Sequence, residues 1–220
     1  MALETIQIET GPMPQAAIIV LHGLGADGND FVPFAREIDL REVGPVRWVF
    51  PHAPRIPVTI NGGYVMRAWY DILGPSLAQR EDETGLRCSM GEVTELIDAQ
   101  RQSGIAAGRI VLAGFSQGCA MTLLTGLRYG QRLAGLAGLS GYLPLATRLA
   151  AERSLANTGV PIFLAHGRSD PVVPYAAGTV SRDVLRALGY AVEWHEYAMP
   201  HSVCAEEVED LHTWLLRVLR

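Results

Sequence analysis

The sequence contains no block of Lys and Arg and no apolar run near the ~20 residues that a membrane-spanning helix needs. Nor does it hold a pair of cysteines at CxxC spacing. Each absence excludes something. The formal net charge is -5, with 18 basic and 23 acidic residues scattered along the chain, which argues against nucleic acid or an anionic membrane as partner. Cys88, Cys119 and Cys204 form an odd set. They read as reduced thiols of a cytoplasmic protein and indicate no zinc site. The first residues, MALETIQIETGPMPQ, lack a basic segment followed by an apolar one, so no signal peptide is expected. No repeat, low-complexity segment or linker divides the 220 residues, which suit a single domain over 1–220.

What is present is material for a core. Hydrophobic residues make up 49% and charged residues 19%, a balance that predicts a folded domain rather than disorder. Continuous apolar runs at 16–22, 46–51, 109–114, 133–140 and 160–166 have the character of strands buried on both faces. The run at 191–197 is more mixed and suits a place near an edge. ETIQIET near the start alternates, as an antiparallel outer strand does. Between these runs lie amphipathic segments. One opens on Ser89 with Glu92 three residues on, a capping box, followed by Val93, Leu96 and Ile97 and closed by Gly104. Segments 117–129, 175–188 and 202–219 share the helical period. Alternating strand and helix predicts an α/β fold with a mostly parallel central sheet and helices on both faces. In such sheets sites form beyond the carboxyl ends of the strands.

Gly114-Phe115-Ser116-Gln117-Gly118 is a G-x-S-x-G pattern standing between a predicted buried strand and a predicted helix, the context that gives the motif meaning. A serine on so sharp a turn takes a strained backbone conformation, and glycines two residues to either side avoid collision. The hydroxyl is a weak nucleophile without a base. Of the six histidines, His201 alone lies in a loop after the last predicted strand and before the last helix. Asp170 follows the strand run at 160–166, which completes the chain order Ser116, Asp170, His201 of a Ser-Asp-His triad. An oxyanion needs two donors. Gln117 opens a helix and has an N–H with no internal partner. The glycines of His22-Gly23-Leu24-Gly25, after the first buried run, let the backbone approach a substrate. The N–H groups of Leu24 and Gln117 are the candidate pair.

LHGLGADGNDF, GFSQGCAM, LSGYLP, AHGRSDPVVP and MPHSV occur together in this order. With them the chain resembles the phospholipase/carboxylesterase family, which includes bacterial carboxylesterases and acyl-protein thioesterases. The resemblance implies an α/β-hydrolase fold without a large cap domain and a cytoplasmic serine hydrolase with no cofactor and no metal. It carries over Ser116 as nucleophile, Asp170 as acid, His201 as base, and Leu24 and Gln117 as oxyanion donors. It also implies that the long segment 61–85 flanks an acyl pocket, with Met66, Trp69, Ile72, Leu73, Tyr142 and Val172 as candidate walls. Cys119 stands where the family often has glycine, and Tyr142 where thioesterase members often have tryptophan.

The function this implies is a carboxylesterase acting on short-to-medium acyl esters through a covalent acyl-enzyme. A thioesterase or lysophospholipase is the alternative within the same machinery. Two further readings are a non-catalytic binding protein on this fold, which a missing triad member would favour, and a hydrolase with Cys119 as nucleophile. The expected partner is a small acyl ester or thioester, and apolar loop residues suggest a homodimer.

Overall fold

The apolar runs form a seven-stranded sheet in a computed structural model that describes residues 3–74 and 80–220. In chain order the strands are β1 (Thr5–Glu9), β2 (Ala16–Leu21), β3 (Val46–Pro51), a separate hairpin of β4 (Arg55–Val58) and β5 (Tyr64–Arg67), then β6 (Ile110–Phe115), β7 (Gly135–Leu139), β8 (Ile162–Gly167) and β9 (Val192–Tyr197). The sheet order is β1-β3-β2-β6-β7-β8-β9, parallel except for β1, which pairs antiparallel with β3. As the alternating and mixed patterns predict, β1 and β9 are the edges. Every residue of β2, β7 and β8 is buried, which is why these strands read as unbroken apolar runs.

The helices are α1 (Phe34–Glu37), α2 (Glu83–Gln102), α3 (Gln117–Gly126), α4 (Ala146–Glu152), α5 (Tyr175–Ala187) and α6 (Ala205–Val218). They cover both faces. One core holds Val93, Leu96 and Ile97 of α2, Leu123 and Leu124 of α3, and Leu185 of α5. The other holds Phe34 of α1 and Leu211, Trp214 and Leu215 of α6.

Two expectations are corrected. Ser89 does not cap α2. The helix starts six residues earlier, where the Asp82 carboxylate accepts the Gly85 N–H at 2.9 Å. Ser89 is buried in the second turn, its hydroxyl donating to the Trp69 carbonyl, so its polarity serves a tertiary contact. The stripe of Val93, Leu96 and Ile97 is buried as predicted, and Gly104 ends the segment at φ 98°. The segment 61–85 is not one loop, either. Its first part turns through Gly62 and Gly63, both at positive φ, into β5, which pairs with β4 in a hairpin. Residues 75–79 of that segment lie outside the described residues.

The sheet places the site. β2 lies beside β6 in parallel, with Leu21 opposite Gly114. The chain lays β1 and β3 to one side of this pair and β7 to β9 to the other, so the order reverses here. At such a switch point the loops leaving two adjacent strands diverge and open a crevice. Those loops are His22–Gly25 and Phe115–Gln117. Among the described residues no helix is long and apolar enough to cross a membrane.

Candidate active site

Ser116 links β6 to α3 at φ 56° and ψ −116°, a conformation costly for any residue with a β-carbon. Its neighbours over-determine it. Its N–H donates to the Leu139 carbonyl at 2.9 Å, and its carbonyl accepts the Ala120 N–H at 3.2 Å. A β-carbon on Gly114 would overlap the Gly118 carbonyl, and one on Gly118 would overlap the carbonyl of Leu21. Both glycines of the motif are therefore demanded by close approach. The elbow leaves Ser116 at 8% exposure.

The loop after β2 comes directly against the serine. A β-carbon on Gly23 would stand 3.3 Å from that of Ser116. The loop is pinned by the Gly25 N–H on the Arg67 carbonyl (2.9 Å) and the Ala26 N–H on the Gly23 carbonyl (3.3 Å), with Gly25 at φ 76°. Among the described residues the Leu24 N–H between them makes no backbone hydrogen bond. Gln117 is the first residue of α3, so its N–H is free of the helix ladder. Its side chain does something the sequence did not disclose. Oε1 accepts the Trp69 N–H at 3.0 Å and Nε2 donates to the Tyr70 carbonyl at 2.9 Å, which ties the segment after β5 to the elbow.

His22 underpins the same loop. Its Nε2 accepts the Ala53 N–H at 3.0 Å, so Nδ1 carries the proton and donates to the Gly23 carbonyl at 2.7 Å. Burial lowers its pKa, which keeps the ring neutral. The Trp69 indole N–H closes the arrangement on the His22 carbonyl at 2.9 Å.

Asp170 lies in the turn after β8, and His201 in the turn after β9. These turns meet because Gly167 has no side chain. A β-carbon there would overlap the Met199 carbonyl. Arg168 N–H to Tyr197 carbonyl (2.8 Å) and Ser169 N–H to Met199 carbonyl (3.2 Å) stitch them together. The Asp170 Oδ1 accepts the N–H groups of Val172 (2.8 Å) and Val173 (2.9 Å), and Oδ2 accepts the His201 Nδ1–H at 2.6 Å. The His201 ring packs on Phe115, the residue before Ser116, with centroids 4.7 Å apart. Serine, imidazole and carboxylate thus come to one end of the sheet. Among the described residues the Ser116 hydroxyl makes no hydrogen bond.

The other histidines have structural partners. His195 lies between Glu193 and Asp210, each 3.1 Å from a ring nitrogen, and stacks on Phe163. His52 Nδ1 accepts the Gly28 N–H, and His212 Nε2 donates to the Asp39 carbonyl. Cys119 is buried against Gly138 and Gly141, and burial pushes its thiol up to about 12. Burial of this kind disfavours the thiolate and counts against the cysteine-nucleophile reading.

The candidate acyl walls divide. Ile72, Leu73 and Tyr142 line one small cleft, shared with Tyr70, whose hydroxyl hydrogen-bonds that of Tyr142 at 3.0 Å. Trp69 is 1% exposed and belongs to the core. Met66 lies by Gly25 instead, and Val172 is 61% exposed on the Asp170 turn. Among the described residues no group of three or more His, Cys, Asp or Glu side chains could hold a metal ion.

Comparison with known proteins gives the family of the chain. A family model described as Phospholipase/Carboxylesterase matches residues 3–219. The chain is 41% identical over 209 residues to acyl-protein thioesterase 1 of Neurospora crassa, covering 91% of this chain and 85% of the relative. It is 40% identical to acyl-protein thioesterase 1 of Mycosarcoma maydis, over 99% of this chain and 98% of the relative. A crystal structure of Zea mays acyl-protein thioesterase 2 superposes with a TM-score of 0.87 at 29% identity, over 99% of both chains. The protein is an α/β-hydrolase and belongs to the phospholipase/carboxylesterase family.

Proposed function

We propose that the protein is a serine thioesterase that removes acyl groups from S-acylated proteins by way of an acyl-enzyme. The observation that carries the chemistry is the Asp170–His201 hydrogen bond of 2.6 Å beside a serine held at positive φ. Ser116 Oγ attacks the acyl carbonyl and passes its proton to the His201 Nε2. Asp170 holds the tautomer with the proton on Nδ1 and stabilises the imidazolium that forms. The N–H groups of Leu24 and Gln117 receive the oxyanion, each worth about 3–4 kcal/mol of transition-state stabilisation. His201 then returns the proton to the leaving thiolate. A water molecule, deprotonated by the same imidazole, attacks the acyl-enzyme, and His201 hands that proton to Ser116 Oγ as the carboxylic acid leaves. Each step is chemically open to an oxygen ester as well, so a short-chain carboxylesterase is the competing assignment. The curated relatives named acyl-protein thioesterase 1 tip the balance toward a protein thioester.

Three substrates test the assignment: a palmitoyl-cysteinyl peptide, p-nitrophenyl esters from acetate to palmitate, and lysophosphatidylcholine. The expected result is the highest kcat/KM on the thioester, with all turnover lost in Ser116→Ala. A preference for butyrate–octanoate esters with no thioester turnover would move the assignment to carboxylesterase.

A further inference from the structure

A second imidazole stands behind the acid. His166, the fifth residue of β8, is fully buried four residues before Asp170. Its Nε2 lies 2.9 Å from the Val173 carbonyl and 3.6 Å from the Asp170 Oδ2. Both neighbours are acceptors, so Nε2 carries the proton. Nδ1 is buried with no partner among the described residues, and a β-carbon on Gly178 would stand 2.5 Å from it. A proton on Nδ1 would find no acceptor there, which leaves a neutral ring with one tautomer. Burial lowers the pKa of this histidine in keeping with that. The rings of Trp194 and Tyr175 lie against it, 6.4 and 6.0 Å between centroids, and with Gly178 they fix its plane.

Val173 is therefore held from both ends, its N–H by the Asp170 Oδ1 and its carbonyl by His166. Asp170, Val173 and His166 thus form a chain of hydrogen bonds that ends 3.6 Å from the Asp170 Oδ2. We propose that His166 is a positioning residue: its Nε2–H anchors the Asp170–Val173 turn, so that Oδ2 is held directed at His201. A charged group in the same place would compete with His201 for the carboxylate, whereas a neutral N–H does not. This inference rests on the triad assigned under Proposed function.

The test uses His166→Phe, which keeps a ring and removes the N–H, and His166→Gln, whose amide N–H reaches about as far as Nε2. Active sites are counted by end-point labelling with a fluorophosphonate, and kcat is expressed per labelled site. His166→Phe should lower kcat about 10- to 100-fold, the size expected of a small misplacement of a catalytic group. Its KM should change by less than about twofold. The midpoint of the rise of kcat/KM with pH should move to lower pH, because the imidazolium loses part of its counter-charge. His166→Gln should restore both rate and midpoint. Wild-type kcat and midpoint in His166→Phe would overturn the proposal, as would equal damage in both variants with an unmoved midpoint. If His166→Phe does not fold, His166→Asn, whose amide is too short for the Val173 carbonyl, takes its place. Failure of both to fold beside a folded Gln variant would reduce His166 to a structural residue. Asp170→Asn is measured alongside. Wild-type turnover in that variant would sink the triad itself, and an inactive Asp170→Asn beside an unaffected His166→Phe would sink this inference alone.

Discussion

Gly118, in the first turn of α3, packs against the Leu21 carbonyl at the end of β2 so closely that a β-carbon would overlap that oxygen. The contact joins the Ser116 elbow to the strand that launches the Leu24 loop, and a methyl group there has only backbone to displace. Gly118→Ala should cost about 3 kcal/mol or more, in the class of strained backbone sites. In a chain of this size that lowers Tm by about 6–12 °C. Thermal melts check the first effect. Esterase assay of the folded fraction should show lost turnover as well, since α3 and the Gln117 N–H shift with it. An unchanged Tm would mean the elbow has slack.

Asp170→Asn should leave the fold and KM nearly unchanged while lowering kcat about 10³–10⁴-fold, as tautomer reversal does in such triads. The amide NH₂ would face the His201 Nδ1–H across a 2.6 Å bond that needs an acceptor. Steady-state kinetics on p-nitrophenyl acetate decide it. A rise in KM with kcat intact would assign Asp170 to substrate binding.

The places of Ser116 and Asp170 were legible because each follows a buried apolar run, and such runs are hard to mistake when both faces are covered, whereas His201 was placed by its position between the mixed edge strand β9 and the last helix. The hairpin was not. Arg55–Val58 contains Pro57 and is mostly solvent-facing, and Tyr64 and Val65 are exposed, so neither apolar pattern arises. The Asn-Gly-Gly turn was its one local signal. The start of α2 was misplaced because Ser89 and Glu92 satisfy the capping-box pattern by chance, while Asp82 is an ordinary loop acid until its contact with Gly85 is seen. The side-chain role of Gln117 and the ring of His166 were invisible for a different reason. Their partners are backbone groups that side-chain identities do not encode.

Glu207 makes stability depend on pH. It lies fully buried in the first turn of α6, and burial, reinforced by Asp210, pushes its pKa from 4.5 up to about 8. The folded protein thus holds a proton that the unfolded chain releases near pH 4.5. Stability from this group is complete below that pH and is lost as pH rises through about 8. At about 1.4 kcal/mol per unit, the loss by pH 8 reaches a few kcal/mol. Glu207→Gln, which has no proton to lose, should be more stable than the parent at pH 8.5 and flatter between pH 5 and 8.5. Urea titrations across that range measure it, and parallel curves for the two proteins would count against a buried, protonated Glu207.

Ile72 and Leu73 line the cleft together with Tyr70 and Tyr142, whereas Trp69 belongs to the core. If this cleft receives the acyl chain, truncation there should act only on the part of the substrate that reaches it. Each buried methylene contributes about 0.8 kcal/mol, close to a fourfold gain in kcat/KM. Ile72→Ala and Leu73→Ala should therefore flatten the rise of kcat/KM along a series of p-nitrophenyl esters while leaving acetate hydrolysis within about twofold of the parent, since acetate buries none of those methylenes. Trp69→Phe should behave differently. It removes the indole donor from the His22 carbonyl under the Leu24 loop, so it should slow every ester, acetate included, by a similar factor. An unaltered chain-length profile in both alanine variants would show that the acyl chain runs elsewhere. A uniform loss in all three variants would mean that Ile72 and Leu73, like Trp69, act by supporting the loops around Ser116.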